Sequence, residues 1–204
     1  MTVLVSMIVD AQRMAIEGVS FNLLFRLFRS GLTGTFMVLL ATAYLIRVGA
    51  LEKAEGFRER AFPMLVFLLS IVGLGILLTR PGAPNFYLAG GGLVLGSLGL
   101  CISIWAVWHL RGSFSIMAEA RRTVVSGPYQ YVRHPLYLGE ILTLLGGCLL
   151  VGTGIALLFW ALICAAQLTR ARIEEKKLCG ALSDYATYRK ETPFIIPNFP
   201  VRSR

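Results

Sequence analysis

The chain has 204 residues, of which 56% are hydrophobic and only 15% are charged. Soluble globular domains carry about 25% charged residues, so this composition excludes an ordinary soluble enzyme or binding module and indicates an integral membrane protein. The formal net charge of +9 requires no nucleic-acid partner, because basic residues beside membrane helices are attracted to an anionic inner leaflet.

The N-terminal segment, residues 1–30, differs from the sequence after it because charges interrupt its apolar pattern. The charged residues are Asp10, Arg13, Glu17, Arg26 and Arg29. This pattern predicts an amphipathic helix that lies in the membrane interface. A signal peptide is the alternative, but the charges of a signal peptide precede its apolar core and do not interrupt it.

Three apolar stretches follow, each close to the length of about 20 residues that crosses the hydrocarbon core. They are Gly31–Ala50, Ala61–Thr79 and Phe86–Leu110. They predict a unit of three transmembrane helices over residues 31–110. The third stretch contains Gly92, Gly96 and Gly99, which predict a close helix contact rather than a nucleotide-binding loop, because no strand precedes them.

The next apolar region, Leu138–Leu168, is too long for a single crossing. As one helix it would extend about 45 Å, whereas the hydrocarbon core is about 30 Å thick. Gly152 and Gly154 lie near its middle, and basic residues flank both of its ends. Because positive residues mark the cytoplasmic side, the number of crossings between the flanks should be even. We therefore predict a helical hairpin, about five membrane segments in all, and a cytoplasmic C-terminus.

Beyond the hairpin, apolar residues recur at near-helical spacing and predict a cytoplasmic amphipathic helix along the membrane surface. They are Ile173, Leu178, Leu182 and Tyr185. Glu174 and Glu175 are adjacent, so a helix turns their side chains about 100° apart and they should make separate contacts. Arg170 and Glu174 are four residues apart, which permits an ion pair on one face.

Residues 127–140, GPYQYVRHPLYLGE, form a polar loop before the hairpin. Pro128 and Pro135 exclude a continuous helix through the loop, and Pro135 is suited to be the first residue of the helix that follows. Arg133 and His134 stand at that helix start, where an anionic group would bind favourably. Glu140 lies about one turn into the apolar helix and should pair with water or Arg133, or take part in catalysis.

The tyrosines of this loop have two interpretations. Tyrosine is common at the level of the lipid headgroups, so Tyr129, Tyr131 and Tyr137 are either interfacial anchors or parts of a site. The four cysteines contain no CxxC pair, and neither a zinc site nor a disulfide framework is predicted.

Four motifs occur in order across the second half of the chain. They are Leu110-Arg111-Gly112-Ser113-Phe114-Ser115, then V-x-G-P-Y-x-x-V-R-H-P-x-Y-x-G from Val125 to Gly139, R-x-x-x-E-E from Arg170 to Glu175, and Tyr185-x-x-Tyr188 followed by Pro197. This combination resembles the isoprenylcysteine carboxyl methyltransferase family of integral membrane methyltransferases, which is related to the phospholipid N-methyltransferases. The resemblance makes residues 111–204 the expected catalytic region.

The resemblance implies S-adenosylmethionine as cofactor, held on the cytoplasmic side, and a lipophilic or prenylated acceptor that enters from the bilayer. The cofactor-binding residues that it implies are Tyr129, His134, Tyr137 and Glu175. Tyr137 would lie near the sulfonium, because an aromatic face attracts positive charge.

The resemblance also implies roles around the methyl acceptor. Arg133 or Arg170 would orient the acceptor, and a carboxylate acceptor needs no general base because it is already ionised at neutral pH. An amine or phenol must lose a proton, which would make Glu174 or Glu140 a candidate base.

Two other functions fit the same sequence. Some membrane sterol reductases share a related C-terminal arrangement, so an NADPH-dependent reductase of an enone lipid is one alternative. A lipid-binding scaffold without catalysis is the other.

Overall fold

The computed structural model describes residues 21–46, 49, 54–78, 86–113 and 123–197. This part of the chain contains helices and turns and no strands, which confirms the predicted all-α class. The helices are α1 (Phe21–Leu45), α2 (Gly56–Glu59), α3 (Ala61–Leu78), α4 (Phe86–Leu110), α5 (Pro135–Val151), α6 (Gly154–Ala181) and α7 (Tyr185–Glu191). Short 3₁₀ turns cover Arg111–Ser113 and Gly127–Gln130.

The apolar helices fit a membrane protein. Tyr87–Leu110 of α4 and the whole of α6 are long and apolar enough to cross a membrane, and three shorter apolar helices accompany them. Large apolar side chains such as Leu68, Val94 and Leu162 are exposed on the outside of these helices, as expected where lipid replaces water as the surrounding medium. The total of about five membrane segments stays a prediction.

Helix α1 begins earlier than the sequence pattern indicates. Its first described residue is Phe21, whereas the predicted span starts at Gly31, so residues 21–30 continue directly into the apolar part. An interfacial helix is predicted for residues 1–30, and residues 1–20 of that range lie outside the described residues.

The predicted hairpin is confirmed, and its turn consists of two residues. Gly152 ends α5 with a φ of 67°, a left-handed conformation that glycine adopts without steric cost. Thr153 then caps α6, because its hydroxyl oxygen accepts a hydrogen bond of 3.3 Å from the backbone N–H of Ala156. The chain therefore reverses at once, and α5 and α6 pack against each other.

The prediction of a separate amphipathic helix directly after the hairpin is wrong. Helix α6 runs without a break from Gly154 to Ala181, because the residues beyond Leu168 are mainly strong helix formers with no proline among them. Leu182 caps this helix, and Tyr185 belongs to α7. One rigid element thus carries an apolar half and a charged half.

Glycines bring α4 and α5 into close contact, as the sequence predicts. A Cβ added at Gly139 would lie 2.3 Å from Ser103 Oγ, and one added at Gly146 would lie 2.5 Å from the carbonyl oxygen of Gly92. A Cβ at Gly99 would lie 2.5 Å from the backbone nitrogen of Thr143. Small residues are what allow membrane helices to approach this closely. The contact fixes the position of the α5 residues that face the site.

Candidate functional site

The loop before α5 forms the centre of the site. It starts at Gly127, whose φ of 61° suits glycine, and continues through the 3₁₀ turn that contains Pro128. Pro135 is the first residue of α5 and His134 is the residue before it, which confirms the predicted helix start. The two proline constraints therefore place the polar residues between them at the end of a helix.

The C-terminal segment holds this loop in place. The backbone N–H of Arg133 donates to the carbonyl of Pro193 at 2.9 Å, and that of His134 donates to the carbonyl of Phe194 at 3.2 Å. The His134 and Phe194 rings meet edge to face with centroids 4.9 Å apart. These contacts join parts of the chain that lie about 60 residues apart, where periodicity gives no signal.

Glu175 is the acidic centre of the loop cluster. Its Oε1 lies 2.8 Å from Arg133 Nη1 and 3.1 Å from His134 Nε2, and Tyr185 donates to the same oxygen at 3.5 Å. Its Oε2 lies 3.5 Å from Arg189 Nε. Because an ionised carboxylate only accepts hydrogen bonds, Nε2 of His134 carries the proton in this contact. A buried charge is thereby surrounded by donors.

The Arg133 guanidinium retains hydrogen-bonding capacity. It is close enough to Glu175 for strong attraction, but neither its Nη1 nor its Nε forms a hydrogen bond of good geometry within the described part of the chain. Its Cζ also lies 5.5 Å from the centre of the Phe194 ring. Buried donors of this kind are costly unless another group binds them. The geometry therefore suits an anionic ligand group beside Glu175.

Glu174 belongs to a second cluster, as expected from its rotation relative to its neighbour. The Tyr137 hydroxyl donates to Glu174 Oε2 at 2.7 Å. The Arg170 guanidinium carbon lies 5.1 Å from the centre of the Tyr137 ring, a distance typical of a cation–π contact. The His134 ring is 5.4 Å from the same ring, so Tyr137 joins the two clusters.

Glu140 pairs with Gln167, a residue that the sequence analysis missed. Gln167 Nε2 donates to Glu140 Oε2 at 2.7 Å, and Arg170 Nη1 donates to Gln167 Oε1 at 3.4 Å. The expected partner Arg133 lies against Glu175 instead, because it precedes α5 and points towards the charged half of α6.

The buried tyrosines Tyr129, Tyr185 and Tyr188 keep their phenolic protons. Burial raises the pKa of Tyr129 well above its ordinary value, and the negative charge of Glu174 raises it further. Burial also raises the pKa of Tyr185 and of Tyr188. All three phenols therefore stay protonated at neutral pH.

The two interpretations of the loop tyrosines apply to different residues. Tyr131 is exposed, which fits an interfacial anchor, whereas Tyr129 and Tyr137 are buried. The Tyr188 hydroxyl donates to the Tyr129 carbonyl at 2.6 Å, and this bond ties α7 to the loop. Burial of Tyr129 and Tyr137 favours a place in the site.

Two open spaces flank these clusters. A charged cleft of about 540 Å³ lies beside Glu175. Its lining residues are Arg133, Arg172, Glu175, Lys176, Cys179, Arg189 and Phe194. An apolar cavity of about 290 Å³ lies among α1, α3, α4, α5 and α6, and Glu140 and Gln167 are part of its wall. Arg170 contacts Gln167 of the cavity wall and the Tyr137 ring.

The site residues predicted from the sequence lie in one connected set of contacts. They are Tyr129, Arg133, His134, Tyr137, Arg170, Glu174 and Glu175. The structure adds Gln167, Arg189 and Phe194 to this set. No sequence motif marks these three added residues, so only the tertiary contacts identify them.

The sequence model described as "Isoprenylcysteine carboxyl methyltransferase (ICMT) family" matches residues 93–180. This range includes all the predicted site residues named above. Residues 93–180 of the chain therefore resemble this family. The match confirms the resemblance that the motifs indicate.

Two curated proteins are similar to part of the chain. The cobalt-zinc-cadmium resistance protein CzcN of Cupriavidus metallidurans is 36% identical over 110 residues, which cover 52% of this chain and 49% of that protein. The protein-S-isoprenylcysteine O-methyltransferase of Schizosaccharomyces pombe is 35% identical over 95 residues, which cover 43% of this chain and 40% of that protein. The matched segments thus span half or less of the length of these relatives.

The name of the first relative raises the question of a metal site. No group of three or more histidine, cysteine, aspartate or glutamate residues suited to a metal ion occurs within residues 21–46, 49, 54–78, 86–113 and 123–197. The acidic residues of the site instead contact arginine, histidine, tyrosine and glutamine.

Proposed function

We propose that the chain is an S-adenosylmethionine-dependent methyltransferase that acts within a membrane on a lipophilic acceptor. The first acceptor to consider is the carboxylate of an isoprenylcysteine-like molecule, which would enter from the bilayer. The observation that carries this proposal is the Glu175 cluster, in which Arg133 and His134 of the loop meet the charged half of α6. It lies within the segment that matches the methyltransferase family.

The charged cleft fits the cofactor. The amino-acid part of S-adenosylmethionine carries a carboxylate and an ammonium group, and the cleft offers the open guanidinium donors of Arg133 beside the Glu175 carboxylate. A guanidinium is well matched to a carboxylate in geometry and charge. Tyr129, His134 and Glu175 would hold the cofactor, which supplies an electrophilic methyl group on its sulfonium sulfur.

We propose a role for the Tyr137 ring that differs from the one that the resemblance implies. One cation already lies over it, since Arg170 is 5.1 Å from the ring centre. We therefore assign Tyr137 to the positioning of Arg170, with its hydroxyl held by Glu174. A role beside the sulfonium would require the second face or the edge of the ring.

The two arginines divide between the two spaces. Arg133 borders the charged cleft, whereas Arg170 contacts Gln167 of the apolar cavity. We assign Arg170 to orienting the acceptor carboxylate, which needs alignment and exclusion of water but no base. If the acceptor is a phenol or an amine, Glu174 would be the base that takes its proton.

The proposed topology follows from the charges around the hairpin. Basic residues flank both ends of the α5 and α6 pair, and we propose a multi-pass protein whose cofactor cleft faces the cytoplasm. The acceptor tail would then lie in the apolar cavity, against the membrane-embedded half of α6 and the neighbouring helices.

Calorimetric titration of S-adenosylmethionine and of NADPH into the detergent-purified chain tests the proposal. We expect S-adenosylmethionine to bind and NADPH not to bind. Tight binding of NADPH alone would support the enone-lipid reductase, and binding of neither to folded protein would support the scaffold without catalysis.

Variants of the loop make this test specific. His134→Ala removes a donor to Glu175 and should weaken S-adenosylmethionine binding by about tenfold or more, because hydrogen bonds to charged groups are the strong ones. Glu191→Gln is the control, since Glu191 is exposed at the end of α7 and should leave binding unchanged. Equal binding by wild type and His134→Ala would remove the loop from the cofactor site.

A further inference from the structure

The apolar cavity contains one feature that its lipid-facing surroundings do not explain. Among the described residues that line it, Glu140 is the one with a carboxyl group, and it lies beside Gln167. Gln167 is only 3% exposed. A carboxylate in such surroundings is costly unless it is hydrogen-bonded, so the position of this pair calls for a specific partner.

Hydrogen bonds within the described residues use both ends of the Gln167 amide but only part of the Glu140 carboxylate. Gln167 uses its amide nitrogen for Glu140 and its amide oxygen for Arg170, so both functional ends of Gln167 are engaged. Glu140 receives one hydrogen bond, at Oε2, from the described residues. A carboxylate has about four acceptor positions. The remaining capacity of Glu140 lies at the wall of the cavity.

Arg170 connects the Glu140–Gln167 pair to the Glu175 cluster. Its guanidinium contacts Gln167 on one side and the Tyr137 ring on the other. The Tyr137 ring in turn adjoins His134 of the Glu175 cluster. A molecule in the cavity with its polar end towards Arg170 would therefore present that end to Glu140 as well.

We propose that Glu140, oriented by Gln167, is a specificity-determining subsite that accepts a hydrogen bond from an N–H or O–H group of the methyl acceptor. This inference rests on the proposed methyltransferase function and adds a requirement to it. The acceptor has an apolar tail for the cavity, a group for Arg170 that receives the methyl, and a neighbouring donor for Glu140. An acceptor without the donor leaves the carboxylate poorly satisfied, which is how polar sites reject such analogues.

The test compares two acceptors that differ in this donor. N-acetyl-S-farnesylcysteine has an amide N–H beside its carboxylate, whereas S-farnesyl-3-thiopropionate has the same tail and a carboxylate without that N–H. We expect the wild-type chain, in detergent with S-adenosylmethionine, to show kcat/KM at least about tenfold higher for the first acceptor, the size of effect expected for a hydrogen bond to a charged group.

Variants at Glu140 then assign the preference to the subsite. Glu140→Leu should bring the ratio of the two kcat/KM values to about one, and Glu140→Gln, which keeps an oxygen acceptor without charge, should give an intermediate ratio. Thr169→Val is the control, because Thr169 is exposed on α6 and its hydroxyl donates to Ala165 of its own helix. It should keep the wild-type ratio. Glu140→Gln is close in shape to the wild type and keeps the test valid if the leucine variant does not fold.

The outcomes separate the inference from the function on which it rests. Equal efficiency for the two acceptors in the wild type, or a preference that persists in both Glu140 variants, would overturn the subsite while methyl transfer stands. Methylation of neither acceptor by protein that binds S-adenosylmethionine would overturn the isoprenylcysteine-like acceptor and the subsite together. Absence of cofactor binding would overturn the proposed function itself.

Discussion

Glu140 of α5 and Glu175 of α6 are both carboxylates of the helical hairpin, yet their surroundings are opposite. Glu175 lies among Arg133, His134 and Arg189 beside a charged cleft. Glu140 has the amide of Gln167 as its hydrogen-bond donor and lies at an apolar cavity. The same side chain is therefore suited to a polar ligand in one place and to a lipid-like ligand in the other.

The difference shows how one hairpin can serve two molecules. Helix α6 is continuous. Its charged half contacts the loop before α5, and its apolar half packs against the other apolar helices. Arg170 lies where the two halves meet. It contacts Gln167 of the apolar region and the Tyr137 ring, which adjoins His134 of the charged region. This division gives four predictions, which follow from the largest expected effect to the smallest.

Arg170→Ala tests the link between the two regions. We expect turnover to fall on the order of 100-fold, because a positioned cation is lost from a site that excludes water, while the Kd for S-adenosylmethionine stays within about threefold. Steady-state kinetics and calorimetry on the same preparation measure the two effects. Arg170→Lys should recover only part of the rate, since lysine cannot stack on Tyr137 as a planar group. A parallel loss of binding and turnover would contradict the division.

Arg133→Ala tests the polar region. It leaves Glu175 without its closest cationic contact, and removing one partner of a buried ion pair costs about 3 kcal/mol or more. We expect a lower Tm in detergent and weaker S-adenosylmethionine binding. The comparison variant is Arg172→Ala, whose side chain also borders the cleft but forms no ion pair with Glu175 among the described residues. A Tm of Arg133→Ala equal to that of Arg172→Ala would argue against the role of the pair.

Gly139→Ala tests the wall of the apolar region. The added Cβ would lie 2.3 Å from Ser103 Oγ and 2.7 Å from the carbonyl of Gly99, so α5 must move away from α4. Overpacking of this kind costs about 1–3 kcal/mol, and the displacement should disturb Glu140, the next residue. Gly90→Ala is the matched control, because nothing lies within 4 Å of its added Cβ. Thermal unfolding should separate the two variants, and equal Tm values would refute the close contact.

Glu59 provides a carboxylate outside both regions. Its hydrogen bond with Lys177 lowers the pKa of Glu59 below its ordinary value. The stabilisation is therefore present above the ordinary glutamate pKa and is lost as the pH falls through the lowered value. Glu59→Gln should reduce stability by about 1 kcal/mol or less at neutral pH. The difference in Tm from wild type should vanish in acid, and a difference that grew as the pH fell would contradict this assignment.

Much of this arrangement follows from the sequence because it depends on local physical rules. The length of the apolar region and the flanking charges predict the hairpin, and the prolines predict the end of the loop at His134. The rotation of 3.6 residues per turn predicts separate partners for Glu174 and Glu175, and the structure gives them Tyr137 and His134.

The remaining features depend on contacts between distant parts of the chain. Gln167 reaches Glu140 across 27 residues, and Phe194 meets His134 only because the C-terminal segment returns to the loop. The sequence mispredicts the length of α6 for a different reason, since an apolar-to-charged change in composition looks like a boundary even where the helix continues.

The central claim is that the Glu175 region binds S-adenosylmethionine and the Glu140 region does not. The most direct measurement is the Kd for S-adenosylmethionine of Glu175→Gln and of Glu140→Gln, each with nearly the same side-chain shape as wild type. We expect Glu175→Gln to weaken binding by at least about tenfold and Glu140→Gln to stay within about twofold. Equal weakening in both variants, or unchanged binding in Glu175→Gln, would contradict the account.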